Sequence, residues 1–245
     1  MKRTLTILIL AVLMQFAMNA QDLKVISYNI RSSDSKDGTN SWVYRYAASA
    51  EMIKDQKADV IALQEARKDQ IKFIEENFKD YKSVGENTTV FWNKKTVSML
   101  KSGTVDSATW ALIKDKKTGE KFYIVNADLE KTVAADRKAA VNAILDKVAQ
   151  MNTESLPVVL TGGLYMKPAD PAMAEVEAKM QNARKTAPKT DNVGTYNNWG
   201  KNSDIIDHIF YSGFSACTEY QTVTKRYAER KFVSDHFPIM ALLIF

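Results

Sequence analysis

Two short stretches, residues 23–30 (LKVISYNI) and 59–65 (DVIALQE), are apolar at nearly every step. A strand of that kind has to be covered on both faces, so the chain must bury these two between other layers. Between them Val43, Tyr46, Ala47, Ala50 and Ile53 recur at helical spacing, which predicts a helix over 42–54 with Asn40 or Ser41 as its cap. A short helix is expected over 68–77. The pattern then changes to consecutive strands at 88–93, 96–101, 109–114 and 120–126, read as an antiparallel meander with Lys117-Thr118-Gly119 as a hairpin turn. Val141, Ile144, Leu145 and Val148 repeat at i, i+3, i+4 and i+7 and predict a helix over 133–151. A strand at 156–161, a helix near 171–181 and strands at 205–211, 216–224 and 238–245 complete the chain. No internal repeat is visible. Two strand-helix units enclosing a run of antiparallel strands predict two packed sheets with helices outside.

Composition places these elements in one domain. Of 245 residues 45% are hydrophobic and 26% charged, enough for a sizeable core, and no Pro/Gly/Ser-rich linker divides them. The single cysteine, Cys217, excludes an intrachain disulfide and a thiolate metal cluster. The two histidines, His208 and His236, exclude a three-histidine zinc site, so any imidazole chemistry uses one of these.

Residues 1–20 read as a secretory signal: Lys2 and Arg3, an apolar run from Leu5 to Met14, then small or neutral residues to Ala20. The run is shorter than the roughly 20 apolar residues of a spanning helix. With no lipid-anchor cysteine, the expectation is a secreted or periplasmic domain, residues 21–245, without a stable membrane anchor. Removing Lys2 and Arg3 takes the 34 basic residues to 32 against 29 acidic ones, a balance of about +3. Lys94-Lys95, Lys114 to Lys117 and Arg230-Lys231 are interleaved with acids, which fits a solvated face better than a nucleic-acid groove.

Polar groups interrupt the apolar runs where strands begin or end: Asn29 and Glu65 late in theirs, Asp207 early in its own, and Asp235-His236 just before the last. If the first two strands run toward one rim and the last two away from it, all these groups meet there. Carboxylates with an amide and no thiolate suit a hard cation held through oxygen, and Mg²⁺ keeps waters and borrows ligands from phosphate. His236 would then stabilise a phosphoryl oxygen, with Asp235 or Asp207 fixing the ring. A Ser-His-Asp triad is the competing arrangement. Ser234, Asp235 and His236 are consecutive, however, and neighbours in an extended chain point apart.

These residues resemble the endonuclease/exonuclease/phosphatase superfamily, which includes deoxyribonuclease I, apurinic endonucleases, neutral sphingomyelinases and inositol-polyphosphate phosphatases. Ser27-Tyr28-Asn29-Ile30-Arg31 looks like its opening strand motif and Leu63-Gln64-Glu65 like its metal-binding motif. Ile206-Asp207-His208-Ile209-Phe210 and Ser234-Asp235-His236-Phe237-Pro238 look like its last two. Asn40, Trp42 and Arg45, with Thr109-Trp110, resemble a secreted bacterial subgroup. The resemblance spans about residues 22–245. It implies a four-layer α/β sandwich of deoxyribonuclease I type, with two packed mixed β-sheets flanked by helices. It also implies Mg²⁺- or Mn²⁺-dependent phosphoester hydrolysis, with Glu65 as metal ligand, Asn29 beside the metal, His236 oriented by Asp235 on the scissile phosphate, and Asp207 as a polar partner.

Three positions depart from that pattern. In Leu160-Thr161-Gly162-Gly163-Leu164-Tyr165, Gly163 stands where the family has the Asp that handles the attacking water, and Tyr165 where it has an Asn for the phosphoryl oxygen. In Asn126-Ala127-Asp128, Asp128 stands where phosphatase members have a phosphate-donating His. A lost general base costs about 10² to 10⁴ in rate and a lost oxyanion donor about 10² to 10³. The expectation is a hydrolase with severely weakened activity and a metal weakly bound or lost. Two other readings stand beside it: a non-catalytic module binding a phosphorylated small molecule, phosphodiester or sugar in the inherited pocket, and an active hydrolase with relocated groups. The loop at 185–202, with Tyr196 and Trp199, is expected either to set specificity or to pack on the scaffold.

Overall fold

The computed structural model of the chain describes residues 22–129 and 133–245. The signal-like segment and Glu130 lie outside the described residues. The two early apolar runs form β1 (Asp22–Asn29) and β2 (Val60–Ala66), which pair in parallel, Val25 opposite Val60. The crossover between them is α1 (Trp42–Gln56). After α2 (Lys68–Asn77) come β3 (Tyr81–Val84) and β4 (Asn87–Asn93). Three antiparallel strands follow, β5 (Val97–Val105), β6 (Ala108–Asp115) and β7 (Lys121–Asp128). The hairpin at Lys117-Thr118-Gly119 forms as expected: Asp115 Oδ1 accepts from the Lys117 and Thr118 amides, and Gly119 takes the left-handed turn position at φ 81°. The rest is α3 (Ala134–Met151), β8 (Val158–Gly163), α4 (Pro171–Glu177), β9 (Gln181–Asn182), α5 (Ala183–Thr186), β10 (Asp207–Ser212), β11 (Ala216–Thr222) and β12 (Ile239–Ile244).

The strands make two six-stranded mixed sheets, ordered β11-β12-β1-β2-β4-β3 and β5-β6-β7-β8-β10-β9. Leu23, Val25 and Val60 of the first sheet pack against Phe122, Ile124, Val159 and Ile209 of the second. The opposite face of the first sheet, with Ile26, Tyr28, Ile61 and Leu63, packs on Met52 and Ile53 of α1 and Ile74 of α2. The outer face of the second, with Val125, Leu160 and Phe210, packs on Val141, Ile144, Leu145 and Val148 of α3 and Met173 and Val176 of α4. This is the four-layer α/β sandwich.

Three details differ from the sequence reading. The strand at 88–93 is not part of a meander with its successors. It pairs with β2 and β3 in the first sheet, because periodicity identifies a strand but not its partner. The short strands β3 and β9 have too few residues to show alternation. In α1 the buried face is Arg45, Ala48, Ser49, Met52 and Ile53, while Val43 and Tyr46 are exposed. The helix is turned because the Arg45 guanidinium is itself buried, donating to the carbonyls of Ile30, Arg31, Asn40 and Val233.

Along the face between the sheets, side chains two residues apart change from apolar to polar toward one end. Val25 is followed by Ser27 and Asn29, Val60 by Gln64, Ile124 by Asn126 and Asp128, Val159 by Thr161 and Gly163, and Ile209 is preceded by Asp207. Gln64 Nε2 donates to Asn126 Oδ1 at 2.7 Å, and Asn126 Nδ2 donates to the carbonyls of Leu63 and Thr89, which joins the sheets where the apolar core ends. At this end β7 and β8 approach closely. Gly162 adopts φ 134°, and a Cβ there would lie 1.9 Å from the Ala127 carbonyl oxygen. Gly162→Ala is therefore expected to destabilise the fold by about 3 kcal/mol or more, through backbone strain and a clash with backbone that cannot swing aside. Urea denaturation checks this; a loss under about 1 kcal/mol would contradict the close approach.

Candidate active site

The polar ends of β1, β2, β7, β8 and β10, with the segment entering β12, surround one rim. Glu65 reaches it through an irregularity in the β2–β4 pairing between Leu63 and Ala66, with a left-handed backbone at φ 57°. Asn29 ends β1, and its Nδ2 donates to Glu65 Oε1 at 3.1 Å. The Ser32 amide donates to Glu65 Oε2 at 3.3 Å. Asp207 opens β10, where the Ile206 and Asp207 amides both donate to Thr195 Oγ1. Asp235 and His236 are fixed by the same loop: the Asn197 and Asn198 amides donate to the Asp235 carbonyl, Asn197 Nδ2 donates to the Ser234 carbonyl, and the Phe237 amide donates to the Thr195 carbonyl. Asn29, Glu65, Asp207, Asp235 and His236 are thus brought together from positions far apart in the chain.

His236 is buried, and its Nδ1 lies 2.8 Å from Asp207 Oδ2 and 3.1 Å from Oδ1. Asp207, rather than Asp235, is the carboxylate that orients the ring. Burial opposes charge on the imidazole, but the field and hydrogen bond of Asp207, joined by the fields of Asp235 and Glu65, outweigh it and raise the pKa to about 9. The ring is a cation at neutral pH, with Nδ1–H committed to Asp207 and a second N–H left to donate. Asp235 is buried too. Burial pushes its carboxyl above the usual range, partly offset by His236 and Arg31, and Ser234 Oγ donates to its Oδ1.

Arg31 was passed over in the sequence, where it was only the last letter of a strand motif. Its guanidinium forks onto Asp37, Nε to Oδ2 at 3.0 Å and Nη2 to Oδ1 at 3.2 Å. The same group lies 3.8 Å from Glu65 Oε2 and 3.6 Å from Asp235 Oδ2. Thr195 and Asn197 were also missed, although both lie in the loop singled out for specificity. That loop packs on the scaffold and also reaches the rim. The Tyr196 ring stands 4.9 Å from that of His236, and Trp199 packs behind the site, 5.5 Å from the Arg45 guanidinium.

The three departing positions also converge. Gly163 is the register partner of both Asp128 and Asp207. A Cβ at 163 would sit 3.7 Å from Asp128 Oδ1, 3.7 Å from Asp207 Oδ1 and 3.0 Å from Tyr165 Cε2. Tyr165 has a left-handed backbone at φ 52°, and its ring lies 6.2 Å from that of His236. Two cavities open here. One of about 520 Å³ is lined by Arg67, Asn87, Asp106 and Asp128, the other of about 380 Å³ by Tyr165, Lys167, Tyr196 and His236, and Arg31 and Glu65 line both.

Among the described residues no group of three or more His, Cys, Asp or Glu side chains is placed to hold a metal. The adjacent Glu65 carboxylate and Asn29 amide are oxygen donors of the kind Mg²⁺ or Mn²⁺ accepts, and one carboxylate suffices when water and a phosphate complete the shell. The donor set fits such an ion with Glu65 as its single carboxylate.

Two mixed sheets packed between helices, with a His–Asp pair and an Asn–Glu pair at one rim, define the deoxyribonuclease I-like class of phosphoesterase folds. The sequence profile of the Endonuclease/Exonuclease/phosphatase family matches residues 26–236, and the chain belongs to that family. Solved structures share the fold. A family protein from Bacteroides thetaiotaomicron is 23% identical over 92% of this chain and 98% of its own, with a TM-score of 0.84. A mannosyl-6-phosphatase from the same organism is 23% identical over 91% of this chain and 100% of its own, also at 0.84. D. rerio TDP2, complexed with a single-strand DNA product, is 18% identical over 91% and 99%, at 0.76. No curated protein matches this chain.

Two outcomes are expected. The folded pKa of His236 lies above its unfolded value near 6.5, so its contribution to stability is full below about pH 6.5 and lost as pH rises through about 9. An NMR titration of the His236 ring should show this raised pKa, and Asp207→Asn should bring it below 6.5 because burial then dominates; an unshifted ring would contradict the pairing. Gly163→Asp alone should cost about 1–3 kcal/mol by pressing on the Tyr165 ring, and most of that should return in the double variant with Tyr165→Asn. Equal losses in the single and double variants would show that Tyr165 is not the obstacle.

Proposed function

We propose that this chain is a secreted or periplasmic phosphoester-binding hydrolase with severely weakened turnover. The observation that carries this reading is local: the His236–Asp207 and Asn29–Glu65 pairs stand in place, while between Asp128 and Asp207 the chain has only the hydrogen of Gly163. Protonated His236 donates to a phosphoryl oxygen, and Asp207 keeps that N–H directed and charged. The Arg31 guanidinium adds a second cation on the same rim. Bound at Glu65 beside Asn29, Mg²⁺ or Mn²⁺ supplies further charge neutralisation of the phosphate. Gly163 offers no group to hold or deprotonate an attacking water. Asp128 turns a carboxylate toward the same space and repels a phosphate dianion.

A phosphorylated small molecule or phosphorylated sugar is the favoured ligand, supported by the paired cavities and by the mannosyl-6-phosphatase among the similar folds. A phosphodiester also meets the same cations. Nucleic acid is not favoured, because Asp106 and Asp128 line the larger cavity. Residues 1–20 support secretion. The placement of Asp128 Oδ1, 3.7 Å from where a Cβ at 163 would be, favours one second reading, in which Asp128 supplies the carboxylate that position 163 lacks.

Hydrolysis of generic phosphomonoesters and diesters with Mg²⁺ or Mn²⁺ tests these readings. The purified protein should turn over near background. Gly163→Asp, Tyr165→Asn and Asp128→His combined should raise the rate by about 10² or more. Robust turnover by the unaltered protein, abolished by Glu65→Ala, His236→Ala or Asp128→Asn, would overturn the weakened-hydrolase reading and establish the relocated carboxylate.

A further inference from the structure

Three carboxylates, those of Asp37, Glu65 and Asp235, surround the Arg31 guanidinium. The position is built, not incidental. Arg31 holds a left-handed backbone at φ 58°, a conformation that persists in a non-glycine residue only where the surroundings over-determine it. Here they do. Its amide donates to Asn29 Oδ1 at 3.0 Å, and its carbonyl accepts from Gln70 Nε2 at 2.9 Å and from the buried Arg45 Nη2 at 3.2 Å. The fork on Asp37 then fixes the plane of the guanidinium. Glu65 Oε1 accepts from Asn29 at 3.1 Å and Oε2 accepts the longer bond from the Ser32 amide at 3.3 Å; Oε2 is also the oxygen that faces Arg31 Nη1, so a cation held there meets the guanidinium directly. The Arg31 side chain remains 29% exposed and lines both cavities, so it meets whatever occupies either one.

We propose that Arg31 is the built-in cation of this site: it neutralises Glu65 and Asp235, binds the phosphoryl group of a ligand without a metal, and weakens divalent-cation binding at Glu65. The inference rests on the reading of the rim as a phosphoester site. Its chemistry is that of a planar, permanently charged donor, which takes phosphate oxygens in pairs. A positive charge this near a carboxylate opposes a second cation on the same oxygen. Phosphate recognition and metal binding are then in competition through Glu65. If Arg31 only stapled its loop to the strands, removing it would lower stability and leave metal affinity unchanged.

The test is binding, not turnover. Mn²⁺ is titrated into the purified protein by electron paramagnetic resonance, and inorganic phosphate by calorimetry in the presence of EDTA. Arg31→Gly suits the left-handed backbone and brings no new ligand. It should bind Mn²⁺ about tenfold more tightly or better, and phosphate about tenfold more weakly or worse. Adding Glu65→Gln to Arg31→Gly should abolish the gain in Mn²⁺ affinity, which locates it at Glu65. Arg31→Lys, which keeps the charge and loses the fork, should bind Mn²⁺ within about threefold of the unaltered protein. Unchanged or weaker Mn²⁺ binding by Arg31→Gly, or phosphate binding in EDTA that ignores Arg31, would overturn the proposal whatever the hydrolysis assays show. Weakened turnover can equally be refuted while these affinities stand.

Discussion

The contact on which the rim depends is the amide bridge between the sheets, Gln64 to Asn126. Strand side chains alternate, so the face between two packed sheets normally stays apolar along its length. In this chain that face turns polar toward one end, and polar groups there must be satisfied or they cost stability. Gln64 donates to Asn126 and Ser27, and Asn126 donates to carbonyls of the first sheet, so the sheets are held at their working separation by hydrogen bonds instead of packing. Beyond the bridge, Asn29, Asp128, Gly163 and Asp207 lie on the same face. The pocket exists because the core stops at this bridge.

Much of this was legible because the polar residues stand out against apolar strands. Asn29, Glu65 and Asp207 each break a hydrophobic run, and a break at a strand end has a geometric meaning even before the strands are paired. Asp235-His236 stood out in the same way. What could not be read were the residues whose roles are played through backbone. Thr195, Asn197 and Arg45 act on amides and carbonyls of distant segments, and no composition or spacing marks which carbonyl a side chain will meet. Arg45 misled the reading of α1, because a buried guanidinium satisfied by four carbonyls looks, in sequence, like a solvent-facing charge. Arg31 was hidden for another reason: it falls one residue past the apolar run, and nothing in its spacing shows that Asp37, Glu65 and Asp235 gather around it.

Strain gathers at the same rim. Arg31, Glu65 and Tyr165 all have positive φ, each at a cost of order 1–3 kcal/mol for a non-glycine residue. Two of these stand at the ends of parallel neighbours, β1 and β2, and the third follows β8 in the other sheet. Each is tied down. The Glu65 carboxylate accepts from Asn29 and from the Ser32 amide, the Arg31 carbonyl accepts from Arg45, and the Tyr165 amide donates to the Ile206 carbonyl. The side chains facing the cavity are therefore fixed before any ligand arrives, which lowers the ordering cost of binding one.

The altered and retained positions differ in how many duties each carries. Asp207 holds His236 in its orientation and charge, and its amide is tied to Thr195; Glu65 fixes Asn29 and the turn at Ser32; removing either leaves buried partners unsatisfied. Position 163 carries no such load. A glycine there keeps the pairing to Asp128 and Asp207 through backbone alone, and the space a longer side chain would take is bordered by the Tyr165 ring and two carboxylates. If the proposed reading holds, such a chain can do without a group that acts on water and still keep its fold, its His236–Asp207 pair and the Arg31 guanidinium at the rim. On the proposed reading, binding and hydrolysis separate at this rim because the residues that would hold a phosphoester also hold the structure together, and position 163 does not.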